Sequence, residues 1–166
     1  MYSVGAVVIY RNEGVCRITD TITKRLGDKN IEYYVLKPVH KENSEIFVPK
    51  NNSVLVEKMR KVLSKDEIMQ LIKKIPEEGN IWIEDSDERK ESYKKILESG
   101  ERTELVKLIK TLHTHKQKQK KSGKKLRISD ERILKDAERM LYDEFAYVLD
   151  IPHSEVVPFI SGQLSN

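Results

Sequence analysis

The first fifty residues alternate apolar and polar positions with the period of two that half-buried strands have. Short β-rich runs such as Val7-Val8-Ile9-Tyr10 and Ile46-Phe47-Val48-Pro49 are separated by turn residues. The pattern predicts strands near residues 6–11, 15–23, 31–37 and 45–49. Gly27-Asp28-Lys29-Asn30 lies between two of these runs and predicts a hairpin turn. We interpret this segment as a small β-barrel.

From Ser53 onward the apolar residues recur at helical spacing. A short helix is predicted near residues 53–63, and the capping box Ser64-Lys65-Asp66-Glu67 predicts a second helix from residue 65. Asp85 predicts the start of a charged helix over residues 86–98, which Ser99-Gly100 closes.

Two longer helices follow. The first carries Leu105, Leu108, Ile109 and Leu112 at core spacing and continues into a run of lysines and glutamines. Ser129 is predicted to cap the last long helix, and Pro152 to begin a short terminal helix that ends near residue 160. The chain is therefore predicted to be α+β, with a barrel over residues 1–52 followed by an all-α bundle over residues 53–166.

Composition narrows the choice of partners only slightly. The net charge is +4 and the pI is near 9.0, an excess of positive charge too small to indicate nucleic-acid binding unless it is concentrated. The single cysteine, Cys16, lies in an apolar run and is expected to be a core residue in a reducing compartment. No apolar run is long enough to span a membrane, so we expect a soluble cytoplasmic protein.

The positive charge is in fact segregated. Residues 105–129 contain nine lysines and arginines and no acidic residue, whereas residues 84–101 are acid-rich. At about 100° per residue, four lysines fall within an arc of about 80°, opposite the apolar face: Lys107, Lys110, Lys118 and Lys121. Three more cations, Lys124, Lys125 and Arg127, extend this stripe. A phosphate-binding surface and a merely solvated helix face are comparable interpretations.

Other candidate chemistry is weak. His113 and His115 lie about 200° apart around a helix and cannot share a metal ion on one face. No phosphate-binding glycine loop, nucleophile motif or metal-ligand spacing is present, so we expect neither catalysis nor a cofactor. Trp82 is interpreted as an anchor buried between helices, with exposure on a binding surface as the less favoured alternative.

The N-terminal residues resemble the polymerase-interaction domain of the CarD/CdnL family of bacterial transcription regulators. The resemblance lies in Val4 to Cys16, in Tyr33-Tyr34-Val35-Leu36 and in Val48-Pro49. It implies a Tudor/SH3-like barrel that docks on the β subunit of RNA polymerase through an exposed strand edge. Five residues match the family's contact positions: Lys24, Arg25, Glu45, Ile46 and Phe47.

The C-terminal residues resemble the same family's helical domain, which contacts promoter DNA beside the melted region. Ser99-Gly100-Glu101 and the following Leu105-Val106-Lys107-Leu108-Ile109 carry this resemblance. The position of the family's tryptophan wedge corresponds to Ser86 in this chain. Arg89 is the nearest basic match to the arginine that follows the wedge in the family. Trp82 lies one helical turn earlier, so either the helix extends to include it in a related role or the wedge is missing.

The sequence thus predicts a regulator that binds the polymerase β subunit through the barrel and promoter DNA through the helical module. In this interpretation it shifts the equilibrium between closed and open promoters without recognising a base sequence. A protein adaptor whose helical bundle recruits another polypeptide is the alternative, and a polymerase-independent nucleic-acid-binding protein is a third. Monomers and dimers paired through edge strands both remain open.

Overall fold

The computed structural model describes residues 1–41 and 43–165, which form two compact units, Met1–Leu63 and Ser64–Asn166. Asn166, the last residue of the predicted helical module, lies outside the described residues. The boundary between the units lies between residues 63 and 64, whereas the sequence pattern predicts it between residues 52 and 53. Residues 53–63 belong to the first unit because part of this segment completes its sheet.

The first unit is built on an antiparallel sheet of five strands. They are β1 (Val7–Tyr10), β2 (Val15–Leu26), β3 (Lys29–Pro38), β4 (Ile46–Pro49) and β5 (Met59–Lys61), in the order β4-β3-β2-β1-β5. The core lies under one face and is formed by Val8, Tyr10, Cys16, Ile18, Tyr34, Leu36, Val48 and Met59. Pairing between β4 and β5, which a closed barrel needs, is absent from the strand pairs of the described residues.

β2 and β3 form a hairpin longer than the sequence predicted. Leu26 pairs with Lys29 across the turn residues Gly27 and Asp28, and Gly27 has a φ of 61°, which glycine adopts without a steric penalty. The ladder shifts register between Ile18 and Asp20. This β-bulge bends the hairpin, so its outer half extends beyond the core while β4 still pairs with β3.

The prediction of one helix over residues 53–63 is wrong. Helix α1 spans only Ser53–Glu57, capped by the Asn52 side chain, and β5 follows it. Met59 pairs with Tyr10 and is buried in the core, because the open edge of β1 satisfies its backbone groups. Cys16 is buried, as predicted for a core residue, and burial raises the pKa of its thiol to about 12.

The second unit is helical. It contains α2 (Lys65–Lys74), α3 (Ser86–Ser99), α4 (Arg102–Lys121), α5 (Ile128–Leu149) and α6 (Val156–Leu164), with short 3-10 turns at Ile75–Glu77 and His153–Glu155. The predicted capping box at Ser64 and Glu67 is present. α5 is the central helix and contacts α2, α3, α4 and α6. Among the described residues, none of the helices combines the length and the apolar character that a membrane span requires.

The start of α5 differs from the prediction. The helix begins at Ile128, and Arg127 occupies the N-cap position without a side-chain capping bond, so Ser129 is not the cap. Asp130 instead anchors the first turn, because its carboxylate is buried against the guanidinium of Arg89 on α3. The first turn is thus fixed by a tertiary ion pair rather than by a local cap.

Two buried ion pairs connect α5 to its neighbours. Arg89 binds Asp130 through two hydrogen bonds of 3.0 and 2.9 Å. Arg102 on α4 binds Glu144 on α5 through bonds of 2.9 and 2.7 Å, and Glu144 is 2% exposed. A paired charge with satisfied hydrogen bonds is tolerated in the interior, whereas removal of one partner leaves an uncompensated buried charge.

Arg102→Ala is expected to lower the free energy of unfolding by about 3 kcal/mol, because the buried carboxylate of Glu144 would lose its two hydrogen bonds from the Arg102 guanidinium. Urea denaturation followed by circular dichroism measures the change. Lys95→Ala is the control: the Lys95–Glu91 pair is exposed and 3.9 Å apart, so its loss should cost less than about 0.5 kcal/mol. Equal losses in the two variants would contradict the role given to the Arg102–Glu144 pair.

Candidate functional site

The first candidate surface is the free edge of β4, one of the two edge strands of the sheet. The Lys50 amide donates to the Glu32 carbonyl at 2.9 Å, so Lys50, Val48 and Ile46 point their backbone groups at β3. Phe47 alternates with them and directs its amide and carbonyl away from the sheet. Pro49 has no amide, and its carbonyl accepts from Asn52. The edge therefore offers a short docking segment centred on Phe47.

The outer face of the sheet beside this edge combines an aromatic ring and a cation. Phe47 is 39% exposed. The Lys24 ammonium lies 4.1 Å from the centroid of the Phe47 ring and 5.9 Å from that of Tyr33, within the range of a cation–π interaction. Glu45 extends the same face and pairs with Lys37 at 3.5 Å. Lys24, Glu45 and Phe47 are thus brought together.

The other two residues matched to the family's contacts lie elsewhere. Ile46 pairs with Leu36 and packs half-buried against the core, on the opposite face from Phe47. Arg25 is exposed, but its Nε donates to the Gly27 carbonyl at 3.1 Å at the tip of the hairpin. Ile46 therefore supports the edge from beneath and offers no side-chain contact on the outer face.

Sequence reasoning missed the apolar residues on the outer face of the hairpin. Leu26 is 62% exposed, and the cross-strand register places it on the same face as Lys24 and Tyr33. The sequence contains a signal for this outer face. Tyr34 and Leu36 point inward, so the apolar residues at the odd-numbered positions of β3 must point outward. The exposed apolar surface beside this edge is therefore wider than β4.

The second candidate surface lies in the helical unit and is centred on Trp82. This residue precedes α3, which starts at Ser86 after the N-cap Asp85, so the helix does not extend to the tryptophan. The segment is held at Ile81, whose amide donates to Thr111 Oγ1 at 3.0 Å and whose carbonyl accepts from Tyr93 Oη at 2.9 Å. A fixed backbone positions the half-buried indole.

His115 on α4 stacks on the indole of Trp82, with ring centroids 3.6 Å apart and an interplanar angle of 16°. Burial, followed by the charge of Arg89, lowers the pKa of His115 below its usual value of 6.5. This shift favours the neutral form of the imidazole that stacks on the indole. Trp82 Nε1 donates to Glu84 at 3.2 Å. Trp82 is half-buried, whereas the favoured interpretation expects a buried anchor. Its ring and its Nε1 both contact neighbouring side chains.

Arg89, which the family resemblance implies as a DNA contact, holds neighbouring segments of the helical unit in place. It is 3% exposed. Besides its two bonds to Asp130, Nη1 donates to the carbonyls of Ile83 and Glu84 at 2.8 and 3.2 Å, and the guanidinium carbon lies 4.3 Å from the Trp82 ring centroid. The guanidinium is committed to interactions within the unit. Ser86, the other matched position, is half-buried at the start of α3.

The predicted lysine stripe divides into two parts. Lys110 Nζ donates to the carbonyls of Ile75, Pro76 and Glu78 at 2.9, 3.1 and 2.9 Å. Lys107 lies 3.3 Å from Glu104 and 4.0 Å from Glu78. Both lysines make contacts within the helical unit, and the helical wheel gives their direction but not these acceptors. Their contact with DNA stays a prediction.

The distal lysines are directed to solvent. Lys118, Lys121, Lys124, Lys125 and Arg127 are exposed. Lys118 lines the cleft of ≈ 450 Å³ at Trp82 and His115, and it also lines the neighbouring hollow that contains Lys121. Trp82, Lys118 and Lys121 therefore form one continuous surface, hereafter the tryptophan–lysine surface. Lys124 and Lys125 line a different groove, at the start of α5.

No group of side chains in residues 1–41 and 43–165 has the composition of a metal site. The tryptophan–lysine surface carries positive charge, an aromatic ring and hydrogen-bonding groups, with a histidine at its base. These groups suit contact with a phosphate backbone and an exposed base pair.

The chain matches two family models, which together cover almost its full length. Residues 2–63 match the CarD-like/TRCF RID domain, and residues 59–161 match the CarD C-terminal domain. A comparison with curated proteins gave no significant match. The first match coincides with the sheet unit and the second with the helical unit. The resemblance drawn from the sequence is therefore confirmed, and the chain belongs to the CarD-like family of RNA polymerase-associated transcription regulators.

Proposed function

We propose that this protein binds the β subunit of RNA polymerase by strand addition at β4 and contacts promoter DNA with the tryptophan–lysine surface. In this proposal the protein acts in the cytoplasm, and its two contacts modulate the stability of the open promoter complex. The DNA proposal rests on one observation: Lys118 lines both the cleft that contains Trp82 and the hollow that contains Lys121, so the three residues form one surface. The family is one of non-enzymatic transcription factors.

Strand addition is supported by the geometry of β4. The Phe47 amide and carbonyl form the unpaired pair of backbone groups that a partner strand requires. The Phe47 ring and Lys24 flank this pair on the outer face, where they supply an apolar contact and a cation. Hydrogen bonds from the backbone give affinity, and these two side chains give selectivity.

Contact with DNA is supported by rigidity as well as charge. The indole of Trp82 is fixed by the His115 stack and by the Arg89 guanidinium, so little side-chain entropy is lost when it contacts DNA. Lys118 and Lys121 add phosphate contacts that carry no base information. Such a surface recognises the shape and flexibility of DNA next to a melted region rather than a sequence.

Regulation follows from differential binding. Contacts made only with the open promoter shift the closed–open equilibrium by about tenfold for each 1.4 kcal/mol. Docking on polymerase raises the local concentration of the helical unit near DNA to about the millimolar range. A weak contact with DNA is therefore sufficient, and binding to free DNA need not be strong.

Phe47→Glu is expected to weaken binding of the full-length protein to a polymerase β fragment by at least about tenfold, because it removes the ring beside the edge. Phe47→Pro removes the outward amide as well as the ring, and it adds no charge. Val54→Glu is the matched control, because Val54 is an exposed apolar residue on α1. Biolayer interferometry gives the affinities. Full binding by both Phe47 variants would refute docking at β4.

The double variant Lys118→Glu/Lys121→Glu is expected to reduce regulation of the open complex and to lower its dependence on salt. Each lost phosphate contact should change the slope of log K against log salt by about 1. The control Lys94→Glu/Lys95→Glu makes the same charge change on exposed positions of α3. In vitro transcription over a salt series measures both effects. Unchanged promoter occupancy would favour the adaptor function instead.

Trp82→Ala is expected to shorten the lifetime of the open complex by about tenfold, which corresponds to about 1.4 kcal/mol, with polymerase β binding unaffected. Trp82→Phe keeps a ring on His115 and should retain part of the effect. Competitor challenge of preformed open complexes measures the lifetime, and urea denaturation verifies that both variants fold. A wild-type lifetime for a folded Trp82→Ala protein would exclude the indole from the DNA contact.

A further inference from the structure

A groove that the proposed function leaves unused lies where α4 turns into α5. It has a volume of ≈ 660 Å³, which is in the range of sites that bind small ligands or a few side chains of a partner. Six cations line it: Lys116, Lys120, Lys124, Lys125, Arg132 and Lys135. Hereafter this is the basic groove. It belongs entirely to the helical unit.

The positive charge of the basic groove is largely uncompensated within its own lining. Glu131 is its only carboxylate among the lining residues, and it pairs with Lys116 at 3.2 Å. Lys120, Arg132 and Lys135 are exposed. The groove is therefore complementary to carboxylates or phosphates.

The floor of the basic groove is apolar. Ile128, the first residue of α5, is 76% exposed in the middle of this charge, and Leu126 beside it is half-buried. The methylene stems of the lysines line the remaining wall. An exposed β-branched side chain at a helix start has no role in the core, and its burial by a partner would stabilise a complex.

We propose that the basic groove binds an acidic peptide segment of a partner protein that carries apolar side chains between its carboxylates. The carboxylates pair with Lys120, Arg132 and their neighbours, and an apolar side chain covers Ile128. Duplex DNA would satisfy the cations but would leave Ile128 and Leu126 against phosphate oxygens. The lining residues contain no aromatic ring to stack a nucleotide base. An acidic peptide with apolar side chains matches both the cations and the apolar residues of the groove.

The test uses the full-length protein and a fluorescein-labelled peptide in which aspartates and glutamates surround two leucines. Binding is measured by fluorescence anisotropy. A second peptide has serine in place of each leucine, and a labelled DNA duplex tests the alternative ligand. Ile128→Ser is expected to weaken binding of the leucine peptide by about tenfold, because it removes most of the apolar contact. Lys120→Glu/Arg132→Glu is expected to weaken it by more.

The matched control is Lys118→Glu/Lys121→Glu, which makes the same charge change on the tryptophan–lysine surface and should leave peptide binding within about twofold. Equal affinity for the serine and leucine peptides would overturn the proposal, as would full binding by Ile128→Ser. A larger loss of DNA than of peptide binding in Lys120→Glu/Arg132→Glu would identify the groove as a DNA surface. Each result is independent of whether Lys118 and Lys121 contact the promoter.

Discussion

The buried ion pair of Arg89 and Asp130 determines the geometry of the helical unit on the side that the proposed function uses. Its two hydrogen bonds join α3 to the first turn of α5, and the remaining donors of Arg89 hold the carbonyls of Ile83 and Glu84. One guanidinium thus positions the segment that carries Trp82 and, through Asp130, the start of α5. An apolar pair of the same volume could match its stability but not these four directed bonds.

Local patterns determined most of the fold. The capping box at Ser64 and the alternation in β1 to β4 depend on neighbours in sequence, so the sequence predicted them. β5 was missed because Met59 becomes a strand residue only when β1 offers its edge, a contact distant in sequence. Ser129 has the residue type of a helix cap, whereas the anchor of that turn is the Arg89–Asp130 pair.

The sequence predicts which face of a helix the site residues occupy, but not which groups their side chains bind. A helical wheel places Lys107, Lys110, Lys118 and Lys121 on one face, and the pair of Lys107 with Glu104 is local in sequence. Only the tertiary structure reveals that Lys107 also lies near Glu78 and that Lys110 binds the carbonyls of Ile75, Pro76 and Glu78. The same limit applied to Arg89: its position matched a family contact, but its burial depends on Asp130, distant in sequence. The stacking of Trp82 on His115 likewise joins distant segments.

The free edge of β4 favours a foreign strand over a second copy of the chain. In an antiparallel pair of two β4 strands centred on Phe47, each Glu45 would face Pro49 of the other copy. Pro49 donates no hydrogen bond, and its carbonyl already accepts from Asn52, so only the Phe47 positions could exchange bonds. A partner strand without proline at that position can also bond to Glu45. The proline that shortens the edge therefore limits self-association, and strand addition from a partner remains open.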